Sequence, residues 1–273
     1  MRVAIVRAHG TLASVRCLAQ ELRTLGINVH YGPPSRREWP DGIDKVIHWG
    51  TTLTPERLTC FSYLTDTDSI RLAIDKFESL DILTSLNVSV PICGVINGTT
   101  PTTRAETHLP IYLRTTRHRA GEGLKVVNTV AELCETLRNQ PNPPYTHWLQ
   151  SIWNEHTSEY RIHCGKNNKI IHCQLKIHQD RNERDLTTEE LSIRNRAHGW
   201  IFASKPIQRV PQPILDEARK AIRVLRLTFG GVDIIYNRNI RQAYVLEVNT
   251  APSLRFYKTA NAYARFIKEL LDA

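Results

Sequence analysis

The stretch Gly230–Leu254, GGVDIIYNRNIRQAYVLEVNTAPSL, decides the reading of this chain. Two β-branched and aromatic runs flank the turn-rich segment Asn237–Arg241, which predicts a hairpin over 231–249. Residues two apart on a strand share a face, so Glu247 and Asn249 point one way while Leu246 and Val248 point into the core. With the turn at Asn237–Arg241, Asp233 falls nearly opposite Glu247. Two carboxylates and an amide oxygen then share one small volume. Like charges directly opposite are unfavourable unless a cation joins them. Hard oxygen ligands of this kind suit magnesium, which also takes phosphate oxygens. The alternative is an exposed sheet face carrying incidental acids. A Glu-x-Asn pair flanked by Tyr-Val-Leu and Val fits better on a strand whose other face is buried.

A second hairpin, EYRIHCGKNNKIIHCQLK (159–176), turns at 165–168 and sorts by parity. Tyr160, Ile162, Cys164, Ile171, Cys173 and Leu175 form one face; Glu159, Arg161, His163, His172, Gln174 and Lys176 form the other. Arg161 and Lys176 on the polar face suit a phosphate or carboxylate, and a solvated sheet face accounts for the same pattern. His163 and His172 read as hydrogen-bonding neighbours, since nothing else supplies tetrahedral zinc spacing. Upstream, Pro110–Arg114 is a strand leading into TTRHRAGEGLKVV (115–127), where Gly121 and Gly123 let backbone approach a ligand closely. A basic, glycine-bearing loop fits a phosphate lid, and a plain hairpin loop has the same composition.

The rest of the chain alternates strands and helices. Arg2–Val6, Ile27–Tyr31 and Lys45–Trp49 are short apolar strands, with helical spacing over Leu12–Leu25 stopped by Gly26. This pattern predicts a small open parallel sheet through about residue 70. One helix is expected over Ser69–Leu86, another over Thr129–Asn139, a strand at His147–Ile152 after a proline-rich linker (Pro141, Pro143, Pro144), and a helix at Pro213–Leu227. The expected units are 1–70, 71–145 and 146–273.

At 273 residues and 41% hydrophobic content there is ample material for two or three small subdomains. No secretory signal or membrane-length apolar run is seen, so a soluble cytoplasmic protein without a membrane partner is expected. Six scattered cysteines form no CxxC pair, so neither a zinc knuckle nor a disulfide framework is indicated. A net charge of +9 points to anionic partners. The basic residues form no tail or aromatic-basic single-strand motif, which ranks nucleic acid below small anionic ligands. Composition leaves a homodimer open.

These pieces, in this order, resemble the ATP-grasp superfamily, which includes D-alanine:D-alanine ligases and RimK-like amino-acid ligases. The resemblance covers the whole chain and implies an α/β (α+β) fold: a small parallel-sheet pre-ATP-grasp domain, a lid subdomain from about residue 90 and a C-terminal subdomain, with ATP between the last two. DKFESLDILTSLNVSVP (75–91) looks like the family's Asp-Lys helix, which implies that Lys76 contacts the phosphates. Arg114 stands where the family usually has Lys. HRAGEG (118–123) is similar to the glycine-rich lid, implicating His118, Gly121 and Gly123, and HWLQSI (147–152) to the adenine hinge, implicating Gln150 and Ile152. Arg161 and Lys176 match basic positions facing the γ-phosphate or the acceptor carboxylate. Asp233, Glu247 and Asn249 match the magnesium ligands, the most specific part of the pattern. IRNRAHGWIFAS (193–204) resembles small phage-encoded ATP-grasp proteins. The implied chemistry uses ATP and magnesium to join a small-molecule carboxylate to an amine through an acylphosphate. A kinase of a small hydroxylated substrate and a nucleotide-responsive binding protein are the alternatives.

Overall fold

The computed structural model describes residues 1–99, 101–115, 124–141, 144–180, 183–187, 190–191 and 193–273. Three sheets succeed one another along the chain. In the first, β1 (Arg2–Arg7), β2 (Asn28–Gly32), β3 (Lys45–Trp49) and β4 (Ser62–Tyr63) run parallel in the order β2-β1-β3-β4. Both faces of β1 are buried, which is why it reads as an unbroken apolar run. Val3 and Ile5 pack with Val15, Leu18 and Leu22 of helix α1 (Leu12–Thr24), while Ala4 and Val6 meet Trp39, Ile43 and Leu58 on the far side.

The helix expected over 69–86 is two. α2 (Thr67–Ile74) ends at Asp75, whose backbone leaves the helical region at ψ 104°, and α3 (Lys76–Ser85) starts immediately afterwards. The Asp75 carboxylate accepts hydrogen bonds from the backbone N–H groups of Phe77 and Glu78, so it serves as N-cap of the second helix. Apolar spacing cannot register such a break, because the pattern resumes one residue later. The break places Lys76 in the first position of a new helix.

The second sheet holds β5 (Cys93–Val95), β6 (Ile111–Thr115), β7 (Leu124–Val127) and β8 (Tyr145–Gln150) in the order β5-β8-β6-β7. Because β8 pairs with β5 and β6, the sheet that begins at Cys93 closes only at Gln150, beyond the proline cluster. Ala105 of α4 (Thr103–Glu106) and Leu133 and Leu137 of α5 (Val130–Arg138) cover one face around Ile111, Leu113 and Trp148.

The third sheet is antiparallel, in the order β11-β10-β9-β12-β13, formed by β9 (Thr157–Gly165), β10 (Lys169–His178), β11 (Trp200–Ser204), β12 (Phe229–Asn237) and β13 (Gln242–Asn249). One face buries Ile162, Cys164, Cys173, Val232 and Ile234 against α6 (Gln212–Val224). The opposite face is covered in part by α7 (Tyr257–Asp272). A bulge between Ile170 and His172 corrects the parity of β10: Ile170 pairs with Cys164, and Ile171 packs into the cluster containing Phe229 and Phe266. A second bulge, at Leu246, leaves Val245 and Val248 in the core and brings Leu246 to the edge of a cavity, though it still packs against the core.

His163 and Gln174 are not on a solvated face. Both are buried, with His163 ring nitrogens joined to the Tyr263 hydroxyl and the Gln174 amide. Burial holds the His163 imidazole down to about 3, so it is a neutral hydrogen-bonding link at neutral pH. No helix among the described residues is long and apolar enough to cross a membrane.

Gly165 ends β9 against the Phe266 ring: a Cβ there would lie 2.1 Å from the ring edge. Gly165→Ala is expected to destabilise the protein by about 1–3 kcal/mol through overpacking. Urea unfolding of the two proteins measures it, and Phe266→Leu in the same background should recover part of the loss.

Candidate active site

The register of the third sheet lays four polar side chains in one row across four strands: Gln174 opposite Arg161, Arg161 opposite Asp233, and Asp233 opposite Glu247. Arg161 grips Asp233 with both arms of its guanidinium, Nε to Oδ1 at 2.6 Å and Nη2 to Oδ2 at 2.7 Å. This is the bidentate geometry that favours arginine over lysine. Glu247 accepts a hydrogen bond from Lys76 Nζ at 2.5 Å. Asn249 donates through Nδ2 to Glu247 Oε1 at 3.1 Å and to Asp233 Oδ2 at 3.4 Å. The close approach of Asp233, Glu247 and Asn249 expected from the sequence is therefore present, and cations already neutralise both carboxylates.

A second ionic group lies one pleat along. Glu159 and Lys176 form a short ion pair, Lys176 also donates to the Arg194 carbonyl at 2.7 Å, and Arg194 Nη1 lies 3.5 Å from Glu159. The Arg194 guanidinium stacks 3.5 Å from the centre of the Trp153 ring. The Phe202 ring sits beneath both Arg161 and Lys176, at 4.3 and 5.1 Å, which fixes their directions by cation–π contact.

Each shift in protonation has a local cause. Burial would raise the Glu247 carboxyl, but Lys76 and Arg114 outweigh it and hold it well below its ordinary range. Glu159 is likewise lowered, with Lys176 and Arg194 overcoming its burial. Burial pushes the Asp233 carboxyl up against the pull of Arg161; the two charge-assisted bonds are those of an ion pair. Arg161 is held above its ordinary value because Asp233 more than offsets its desolvation.

A cavity of about 950 Å³ opens over this row. Lys76, Arg114, Arg161, Lys176, Asp233 and Glu247 line it, as do Gln150 and Ile152, so eight of the residues singled out from the sequence meet in one space. Asn249 joins them through its hydrogen bonds. His118, Gly121 and Gly123 lie outside the described residues. Arg114 arrives from β6 of the second sheet, and its buried Nε and Nη1 have no hydrogen-bond partner among the described residues. A buried donor left unmade costs roughly 1–3 kcal/mol, more for a charged group. Among the described residues, seven cationic side chains and three carboxylates line the cavity, a balance that suits an anionic ligand.

Glu159, Arg194 and Trp153 were not assigned roles from the sequence. The parity of the 159–176 hairpin places Glu159 on the cation face, but nothing local shows that the Arg-Asn pair near residue 194 folds back onto it. Gly10, Thr11, Ala13 and Ser14, at the start of α1, also line the cavity, and the first turns of α1 and α7 carry no acidic residue and no capping side-chain bond. Their dipoles add to the positive potential.

The donor set fits magnesium. Among the described residues no three His, Cys, Asp or Glu side chains converge to hold a metal. Two carboxylates and one amide do converge, and Asn249 offers its oxygen by turning its amide over. Such a set suits a cation that completes its shell with phosphate oxygens and water.

No family model matches the chain, and no curated protein matches it. Solved structures do. D-alanyl-alanine synthetase A from Vibrio cholerae superposes with a TM-score of 0.72 at 14% identity, over 100% of this chain and 97% of that one. A D-alanine–D-alanine ligase from Bacillus anthracis, complexed with ATP, gives 0.71 at 16% identity over 100% and 94%. A RiPP-associated ATP-grasp ligase from Chryseobacterium gregarium, in complex with ADP and a leader and core peptide, gives 0.66 at 15% identity over 99% and 96%.

Two outcomes follow from the paired carboxylates. Glu159 and Glu247 are both lowered in the folded state, so the stability they contribute is present above the ordinary carboxylate pKa of about 4.3 and is lost as pH falls through their lowered values. Urea midpoints taken from neutral to strongly acid pH should fall more steeply for the wild type than for Glu247→Gln; parallel curves would contradict the coupling. With both acids occupied, magnesium chloride alone should give no saturable heat by calorimetry, whereas a non-hydrolysable ATP analogue should make binding saturable. Affinity for the analogue that is the same with and without magnesium would remove the metal assignment.

Proposed function

We infer that this chain, which has the ATP-grasp fold, is an ATP-dependent carboxylate–amine ligase that forms an amide through an acylphosphate and releases ADP and phosphate. The observation that carries the reading is the cavity itself. Among the described residues a surplus of cations, including Arg114 with buried donors that have no partner there, lines the space over the Asp-Glu-Asn cluster.

ATP is a substrate here. Lys76 and Arg114 converge on Glu247 from α3 and β6, and are the donors placed to take phosphate oxygens. Gln150 and Ile152, on the wall formed by the end of β8, are assigned to the adenine. Magnesium, held by Asp233, Glu247 and Asn249, would supply charge neutralisation on the triphosphate. Arg161 and Lys176 orient the acid: Arg161 is locked by Asp233 and Phe202, and Lys176 by Glu159 and the Arg194 carbonyl. A carboxylate oxygen of the acid attacks the γ-phosphorus as the bond to ADP breaks. The amine then adds to the acyl carbon, phosphate leaves with that same oxygen, and the amine loses a proton. The side chains position the reactants, offset developing charge and exclude water that would hydrolyse the acylphosphate. None of them acts as a nucleophile.

The acid and the amine are small molecules or parts of a peptide, the two substrate types among the structural neighbours. We place the reaction in the cytoplasm, a location supported by six cysteines that all remain thiols.

Following an atom tests the assignment. An acid labelled with heavy oxygen in its carboxylate should pass label to the released phosphate. A kinase would keep the phosphoryl group on its product and release none, which would overturn the ligase reading. Glu247→Gln and Lys76→Met should each lower ADP release by about a hundredfold or more with an unchanged circular dichroism spectrum. Full activity in both variants would remove these residues from the site.

A further inference from the structure

Gln174 is almost wholly enclosed, at 3% exposure, yet it lines the cavity. The sheet register sets it opposite Arg161 on β9. Three hydrogen bonds lead from it into the interior. Its Oε1 lies 3.0 Å from His163 Nε2, its Nε2 lies 3.4 Å from the Thr259 hydroxyl, and His163 Nδ1 lies 3.1 Å from the Tyr263 hydroxyl. Thr259 and Tyr263 belong to α7 and are fully buried. The Tyr263 ring is fixed in turn by edge contacts with Trp49 of β3, Phe229 of β12 and His163, at 5.6, 5.7 and 5.4 Å between ring centres.

The direction of this relay follows from its protons. His163 is neutral at neutral pH, and a neutral imidazole carries one N–H. The Tyr263 hydroxyl has no other partner among the described residues, so donating to His163 Nδ1 gives its buried hydrogen an acceptor. His163 then holds its proton on Nε2 and donates to Gln174 Oε1. The Gln174 amide nitrogen faces the other way: one of its hydrogens is directed to Thr259, and the second has no acceptor among the described residues. Beside it, Arg161 has Nε and Nη2 committed to Asp233, which leaves it fewer donors for the two oxygens of an acid.

We propose that Gln174 binds the acid directly, its second amide N–H donating to the carboxylate oxygen that stays on the acyl carbon, with His163 and Tyr263 as positioning residues that hold the amide in that orientation. The proposal rests on the ligase reading for the identity of the ligand. It fits both stages of the chemistry. While one carboxylate oxygen attacks the γ-phosphorus, a neutral donor holds the other without withdrawing as much charge from the nucleophile as a cation would. When the amine's electron pair enters the acyl carbon, the carbonyl pair moves onto the held oxygen and returns as phosphate leaves. A donor already aimed at that oxygen stabilises its charge without reorganisation.

Nitrogen-15 spectra of the full chain, with magnesium and a non-hydrolysable ATP analogue present and acetate as the probe carboxylate, provide the test. At neutral pH His163 should be the tautomer protonated on Nε2. The Gln174 side-chain amide, assigned by its absence in Gln174→Met, should shift saturably as acetate is added. Gln174→Met should weaken acetate by about tenfold or more, the loss of a hydrogen bond to a charged group, and leave affinity for the analogue unchanged. Tyr263→Phe removes only the hydroxyl; it should release the His163 tautomer and weaken acetate too, again with the analogue bound as before. Variants that change thermal unfolding but bind acetate like the wild type would reduce the relay to a structural one and overturn the proposal. A His163 proton on Nδ1 would overturn it as well, as would an amide resonance that acetate does not move. Acetate binding of the expected kind in a chain that consumes no ATP with any acid keeps Gln174 as a carboxylate donor and loses the ligase reading. Turnover of an acid with the same kcat and KM in Gln174→Met does the reverse.

Discussion

The Arg161–Asp233 pair is the interaction on which the site depends. Asp233 is buried and Arg161 mostly so, which leaves neither charge well solvated without the other: removing one partner of a buried pair typically costs about 3–5 kcal/mol. Their two short bonds align the central strands of the third sheet, β9 and β12, at the row where catalysis is proposed. Glu247, Asn249 and Lys76 are reached from this pair in one or two contacts. Glu247 is the neighbour on β13, Asn249 bridges Glu247 and Asp233, and Lys76 reaches Glu247 from a helix that starts only because Asp75 stops the preceding one.

A sheet face of this polarity is tolerable because the rest of that face is covered. α7 lays Thr259, Tyr263 and Phe266 over the distal half, where His163 and Gln174 satisfy one another and the helix. The bulge that sends Ile171 to this side gives the helix an apolar contact there. The bulge at Leu246 does the complementary thing at the proximal end, bringing an apolar side chain to the cavity among charged ones. Both irregularities shift a single residue between faces, which a strict two-residue period cannot anticipate.

Charge is distributed in two tiers. Inside, each carboxylate has its cation, and Arg114 is left with buried donors that have no partner among the described residues. Arg196, Arg255 and Lys258 are exposed and form no ion pair among the described residues, so they weigh little on stability. The overall charge of +9 thus reflects both a cation-rich cavity and exposed basic residues.

The sequence by itself determined the elements and the central cluster. Alternation over 231–249 places Asp233, Glu247 and Asn249 on one face, and a hairpin turn of known length sets which residues oppose, so local periodicity sufficed. It likewise indicated the parallel sheet at the N-terminus, because short apolar strands recur there with a clear helical period between the first two. Only the tertiary structure decided what each charge is paired with. Lys76 and Glu247 are separated by 171 positions and Arg161 and Asp233 by 72, and no local pattern encodes which distant cation arrives. The break at Asp75, the two bulges and the return of Arg194 onto Glu159 and Trp153 were likewise settled in three dimensions. Each replaces a locally regular arrangement with one stabilised by partners far along the chain, and burial supplies the free energy that makes the exchange favourable.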